Sequence, residues 1–168
     1  DVAERHGSSD AASAVGEVHV VGALKAHNAV IGGEGNGGII VPELHYGRDS
    51  LVGVALFLTH LAHQKMKASE LKATYPKYFM AKEKAQLTAD MDVDALLKKV
   101  ALMHAGEIMS TVDGLKIDFD EAWVHMRKSN TEPIVRIYTE AGSQAEADAL
   151  AAQFVKQLEA SSLSDSTL

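Results

Sequence analysis

The sequence predicts an α/β unit followed by an α+β domain whose four antiparallel strands carry two helices on one face. Three observations lead there. A glycine-rich stretch, GGEGNGG, lies between two short apolar runs, and a long apolar helix pattern follows it. Beyond a polar, proline-containing stretch at 70–77, strand and helix patterns separate cleanly. The last of them, from Ser143 onward, repeats apolar residues at helical spacing. The 168 residues, 46% apolar and 23% charged, have ordinary globular composition. They suffice for one ordinary domain, or for a small domain with part of another.

Taken in order, DVAERHG reads as a helix end stopped by Gly7, before the polar loop SSDAAS. Valines and alanines over 18–26 fit a short helix closing near Asn28. The apolar runs 29–31 and 39–41 read as paired strands. Residues 48–66 make a largely apolar helix with no clearly polar face, expected to be sandwiched between other elements. The domain boundary is placed in ELKATYPK, giving units 1–70 and 71–168.

In the second unit, residues 78–87 read as an edge strand with lysines on its open face. Val93, Leu96, Leu97, Val100 and Ala101 recur at helical spacing. Residues 108–112 and 115–119 flank Asp113-Gly114, a hairpin signal, because the two-residue turn wants positive φ at both central positions. Residues 122–127 and 134–140 are further strands. Ser143 and Glu146 stand in capping-box spacing, and Ala147, Leu150, Ala151, Phe154, Val155 and Leu158 then share one helix face. The tail SSLSDSTL is expected to fray. The unit reads strand, helix, three strands, helix, and four antiparallel strands with two helices on one face is the economical arrangement.

Composition narrows the function. Sixteen basic against 23 acidic side chains give a net charge of −7. No basic stripe suited to nucleic-acid phosphates is visible. The most apolar stretch, LVGVALFLTHLA at 51–62, is too short and too interrupted to span a membrane, and the first ten residues lack a signal-peptide pattern. Zero cysteines exclude disulfides and thiolate metal sites and fit a reducing compartment, so a cytoplasmic setting is expected. His60 and His63 lie one helical turn apart without a third ligand, and His45 and His125 are similarly unsupported, so no metal site is expected. Trp123 and Tyr138 are read as strand core.

Two segments carry chemistry. Gly33, Gly35 and Gly38 match G-x-G-x-x-G, but that fingerprint needs a helix N-terminus after it. Ile39-Ile40-Val41-Pro42 is strand-like, which rules the nucleotide reading out. What remains is a loop where backbone approaches a ligand, with Glu34 and Asn36 able to read neighbouring sugar hydroxyls. The alternative is a tight turn whose glycines only satisfy unusual φ values. The second segment is RKSNTEPIVR at 127–136. Arg127, Ser129, Asn130 and Thr131 supply a guanidinium, two hydroxyls and a carboxamide, in a turn whose amides suit an anion. Arg136, on the next strand, shares a face with Ile134 and Tyr138 and needs a partner, such as a phosphate. The alternative is a plain turn with Arg136 paired to a nearby carboxylate.

These two loops, in this order, resemble those of the α-D-phosphohexomutases, which include phosphoglucomutases, phosphomannomutases and phosphoglucosamine mutases. The sugar loop of that family, G-E-x-S-G-H, is matched by residues 33–38, with Asn36 for the serine and Gly38 for the histidine. Its phosphate loop, R-x-S-x-T-E-P followed by an arginine, is matched by Arg127, Ser129, Thr131, Glu132, Pro133 and Arg136. Val15-Gly16-Glu17 is similar to the turn that precedes the helix before the sugar loop. The GGEGNGG form is similar to that of archaeal-type phosphoglucosamine mutases.

The resemblance implies the carboxy-terminal part of such an enzyme, comprising part of a mixed-sheet third domain and the whole fourth. It implies hexose or hexosamine phosphate as ligand, exchanged between 1- and 6-phosphate through a phosphoserine and a bisphosphorylated sugar. Glu34 and Asn36 would then read sugar hydroxyls. Arg127, Ser129, Asn130, Thr131 and Arg136 would hold phosphate. The catalytic serine and the Mg²⁺ ligands would belong to amino-terminal domains not found here, so no catalytic residue is expected in this chain, which is expected to be inactive alone. A non-catalytic sugar-phosphate or anion-binding module is the other reading, as is a phosphomannomutase or phosphoglucomutase. An incomplete third domain would leave the apolar helix 48–66 uncovered, so self-association is also expected.

Overall fold

The computed structural model describes residues 2–87, 91–129 and 131–163. Most of the tail expected to fray lies outside them. The chain divides into two compact units, Asp1–Pro76 and Lys77–Leu168.

The first unit contains α1 (Val2–Arg5), α2 (Glu17–His27), β1 (Gly32–Glu34), β2 (Gly38–Ile40), α3 (Ser50–Gln64) and α4 (Ala68–Ala73). Gly7, at φ +64, follows α1. Asn28 ends α2 in the left-handed conformation, its amide returning to Leu24 and Lys25 carbonyls. Val20 and Leu24 of α2 pack on Ile40, which gives the unit a small core. The only sheet of this unit among the described residues is the antiparallel hairpin β1–β2, where part of a mixed sheet is expected. Its second strand overlaps the apolar run 39–41, but its first lies at 32–34 and not at the run 29–31. Gly32, Gly33 and Glu34 pair with Ile40, Ile39 and Gly38, while Val30 and Ile31 are exposed. The glycines themselves form the ladder because the backbones approach so closely. A Cβ on Gly33 would stand 2.3 Å from the Gly38 carbonyl oxygen.

Helix α3 starts at Asp49, whose carboxylate accepts from the Leu51 and Val52 amides at 2.9 and 3.1 Å. The Val52 amide first, then His45, holds the Asp49 carboxyl below its ordinary range. The sandwiched helix expected here is not observed. None of its residues is buried, and Leu51, Val54, Leu56, Phe57 and Leu58 are exposed. A helix this apolar needs a covering partner, so the chain is expected to self-associate as concentration rises. Light scattering on the wild type and on a Leu51→Glu/Phe57→Glu variant checks this. A monomeric wild type at high concentration would refute it. The polar stretch where the boundary is placed overlaps α4, whose Leu71 is buried, and residues 71–76 group with the first unit.

The second unit contains β3 (Phe79–Gln86), α5 (Val93–Met103), β4 (Ile108–Ser110), β5 (Leu115–Asp118), β6 (Trp123–Lys128), β7 (Ile134–Ala141) and α6 (Gln144–Leu163). The sheet has five strands, in the order β3-β7-β6-β5-β4, and not four. The five stretches read as strands, 78–87, 108–112, 115–119, 122–127 and 134–140, each supply one, so the count of four leaves out one of its own. Strand β4 is a three-residue edge strand held to β5, with Met109 opposite Ile117. Every neighbouring pair is antiparallel. Asp92 caps α5 through the Asp94 and Ala95 amides, and Ser143 accepts from the Glu146 amide at the start of α6.

Strand alternation divides the sheet into two faces. Ala85, Leu115, Ile117, Val124, Met126, Val135 and Ile137 meet Val93, Leu96, Leu97 and Val100 of α5 and Phe154 and Leu158 of α6 in one buried cluster. Both helices therefore cover the same face, as expected. Ala81 and Ala141 pack on Ala147 and Ala151, small residues that let α6 lie close to the sheet. The intervening residues, among them Lys82, Lys84, Lys116, His125, Arg127, Arg136 and Tyr138, point to the helix-free face. Trp123 and Tyr138 lie there too, half-buried and not in the core. The indole N–H donates to Glu140 at 3.0 Å, so the ring serves the polar face.

Candidate functional site

The glycine-rich segment is a β-hairpin tip. Glu34 pairs with Gly38 across the three-residue turn Gly35-Asn36-Gly37. The Gly37 amide donates to the Glu34 carbonyl at 3.0 Å, and Gly37 has φ +95, a value glycine adopts at little cost. The Glu34 side chain is half-buried, and one carboxylate oxygen accepts from the Gly16 amide at 3.2 Å. The Val15-Gly16-Glu17 turn and the hairpin are thus one assembly. A second brace runs beside it. Arg48 donates through Nε to Glu17 at 2.9 Å and through its backbone amide at 3.2 Å. That brace occupies the space a side chain at position 38 would need, since a Cβ on Gly38 would lie 2.8 Å from Arg48 Cδ. Asn36 is exposed and turns its carboxamide oxygen back to the Gly38 amide at 3.0 Å, which leaves the NH₂ outward. The sequence gives two readings of this loop, and the geometry contains both. Gly33, Gly37 and Gly38 answer to the backbone, whereas a Cβ on Gly35 would meet nothing within 4 Å and its φ is not positive.

In the second unit the candidate cations are set by strand register. Arg127 on β6 is directly opposite Arg136 on β7. Arg127 Nη1 faces Asp113 at 3.5 Å, while its Nε is buried without a hydrogen-bond partner. Arg136 Nη2 meets Glu132 at 3.2 Å. Between the two strands, buried Ser129 donates its backbone amide to the Ile134 carbonyl at 3.0 Å and places Oγ 3.4 Å from both the Thr131 hydroxyl and the Thr131 amide. At that length these contacts are weak, so the hydroxyls and the amide remain able to serve another acceptor. Asn130 lies outside the described residues. Glu34 and Asn36 belong to one unit and Arg127, Ser129, Thr131 and Arg136 to the other.

Sequence reasoning missed Asp113 as more than a turn residue. The hairpin turn is wider than the two-residue type, since Ser110 pairs with Lys116. Only Gly114 takes positive φ there, at +74. Asp113 instead works through its oxygens, its carbonyl accepting from His125 Nε2 at 2.5 Å and its carboxylate facing Arg127. That gives His125 a structural partner. His60 and His63 are exposed on α3. Among the described residues no group of three or more histidines and carboxylates converges on a possible metal position, and no helix is long and apolar enough to cross a membrane.

Two arginines placed opposite each other beside loosely bonded hydroxyls make an arrangement that can hold a doubly charged oxyanion, which would relieve the repulsion between them. An α+β domain with such a row, preceded by a braced glycine hairpin, defines the class. Residues 1–78 match the family model described as phosphoglucomutase/phosphomannomutase, alpha/beta/alpha domain III, and residues 78–157 match that of the C-terminal domain. The chain belongs to the phosphoglucomutase/phosphomannomutase family and carries its third and C-terminal domains. It is 40% identical over 88% of its length to a phosphoglucomutase/phosphomannomutase of Thermococcus kodakarensis, covering 32% of that protein. It is 33% identical over 92% of its length to a probable phosphoglucosamine mutase of Methanopyrus kandleri, covering 34% of that protein. The crystal structure of a family protein from Burkholderia thailandensis superposes with a TM-score of 0.75 and 25% identity, covering 94% of this chain and 34% of that one. The chain thus spans about a third of the length of the curated relatives it matches.

Proposed function

We propose that this chain is the substrate-binding part of a phosphohexomutase that interconverts hexosamine 1-phosphate and 6-phosphate, with glucosamine phosphate as substrate. The observation that carries the reading is the direct opposition of Arg127 and Arg136 beside the Ser129–Thr131 turn. Left without an anion, two such cations repel. Glu34 and Asn36 read sugar hydroxyls, and Arg127, Ser129, Asn130, Thr131 and Arg136 hold the phosphate that is not being transferred. Remote binding of that kind positions the reacting end in either orientation of the sugar.

The reaction proposed for the whole protein passes the phosphoryl group of a phosphoserine to the free hydroxyl of the sugar monophosphate. The resulting bisphosphate reorients and returns its other phosphoryl group to the serine, with Mg²⁺ offsetting developing charge. Serine and metal ligands are assigned to residues outside this chain, which alone is inactive. The GGEGNGG form of the loop and the similarity to a probable phosphoglucosamine mutase support the hexosamine assignment. The similarity to a phosphoglucomutase/phosphomannomutase at 40% identity favours glucose or mannose phosphate as the second reading.

Backbone amide shifts followed while adding glucosamine, mannose or glucose 6-phosphate test both. Saturable shifts over 129–136 with all three, tightest for glucosamine 6-phosphate and joined by shifts at 34–38, are expected. Tighter binding of mannose or glucose 6-phosphate would favour the second reading. Shifts that fail to saturate with any of them would count against sugar-phosphate binding by this chain.

A further inference from the structure

The row of cations does not stop at the two arginines. Arg136 has neighbours on both sides, Arg127 on β6 and Lys84 on β3. All three belong to the helix-free face, because Ala81 and Ala85 carry β3 into the core and leave Lys82 and Lys84 on the other side. Neighbouring strands lie about 4.8 Å apart, so three extended cationic side chains from adjacent strands can bring their tips within reach of one phosphate. Carboxylates answer only part of this charge. Glu132 meets Arg136 and Asp113 meets Arg127, while Lys84 has no ion pair among the described residues. A shallow depression lies over the same place, lined by Lys82, Glu83, Lys84, Arg136 and Tyr138. Glu83 pairs with Ile137 and so belongs to the opposite side of the strand. Lys82 sits 6.0 Å from the Tyr138 ring centre and closes the far end.

We infer that Lys84 is a third cation of the phosphate grip, extending it across β7 to the edge strand, for the dianion of a phosphomonoester. This rests on the sugar-phosphate reading proposed above and adds a residue to it. Lysines on an edge strand also discourage pairing with other chains. That role needs charge at the edge but no particular register, whereas the placement of Lys84 beside Arg136 is a matter of register.

The test is an amide-shift titration of the 168-residue chain with inorganic phosphate and with glucosamine 6-phosphate. It compares wild type, Lys84→Gln, Lys84→Arg, Arg127→Ala and Lys156→Gln, the last removing one exposed cation from the helix layer. Lys84→Gln is expected to weaken both ligands about three- to fivefold, as befits an exposed charge. Lys84→Arg should restore the affinity, Lys156→Gln should leave it unchanged, and the loss in Lys84→Gln should shrink as salt is raised. Binding by Lys84→Gln equal to wild type, with Arg127→Ala still defective, would overturn the role of Lys84 and leave the phosphate loop standing. Equal binding by Lys84→Gln and Arg127→Ala alike to wild type would overturn both readings, and a wild-type chain that takes up no phosphate would overturn the three-cation grip.

Discussion

Replacing Arg127 by alanine is expected to weaken phosphate and sugar-phosphate binding by about 10- to 100-fold while leaving the fold as stable as before. The first half follows from the bonds available. A charge-assisted hydrogen bond to an anion contributes about 1.5–3 kcal/mol, and each 1.4 kcal/mol is tenfold in affinity. The second half follows from what the guanidinium lacks. Its Nε is buried without a partner, its nearest carboxylate oxygen is 3.5 Å away, and Arg136 stands directly opposite. Alanine removes an unsatisfied donor and a like-charge contact, both of which cost stability in the unliganded protein. The unfolding free energy should therefore stay within about 0.5 kcal/mol of wild type. A structural arginine would give the reverse pattern, a loss of stability with the remaining phosphate contacts intact. Titration by amide shifts together with urea unfolding separates the two. A large drop in stability with unchanged phosphate affinity would show that Arg127 serves the turn at Asp113 and not a ligand.

Legibility in the sequence followed the physics of each element. Helices α2, α3, α5 and α6 are readable because periodic apolar residues and caps are local signals, whereas the short α4 runs into a polar, proline-containing stretch that reads as a boundary. Asn28, Asp49 and Ser143 sit at helix ends, and the α6 stripe Ala147, Ala151, Phe154 and Leu158 is fully buried. In the hairpin β1–β2 only the second strand follows an apolar run, while the first falls on the glycines after the run 29–31. The hairpin's register is set by glycines whose lack of a side chain permits the pairing, and hydrophobicity does not report that. Trp123 and Tyr138 were assigned to the core from their size, yet period two places both on the helix-free face with Glu140, Lys116 and Lys82 around them. The candidate phosphate residues were visible as a cluster in the chain. Their opposition across β6 and β7 was not, since register between strands depends on the length of the 129–133 connection. Lys84, some fifty residues away, joins the row only through that register.

Gly114→Ala should be the most damaging small substitution in the second unit, costing about 2–4 kcal/mol from a left-handed residue and a steric conflict together. Gly114 has φ +74, and an added Cβ would stand 2.2 Å from the Met126 carbonyl oxygen, 3.0 Å from Arg127 Cα and 3.1 Å from Arg127 Cβ. None of these is the free end of a flexible side chain, so strand β6 itself must move. The Asp-Gly pair is thus demanded for a reason other than a two-residue hairpin turn, since Asp113 has no positive φ. Glycine lets the turn press onto the strand that carries Arg127, where Asp113 then meets both Arg127 and His125. The displacement should reach binding as well as stability, with phosphate affinity falling in step with the shift of β6. Gly35→Ala provides the contrast, because a Cβ there meets nothing within 4 Å and stability should change by no more than about 0.5 kcal/mol. Urea unfolding of both variants decides the matter. If Gly114→Ala proved as stable as Gly35→Ala, the turn would not lie against β6 as described, and the positioning of Arg127 by Asp113 would fall with it.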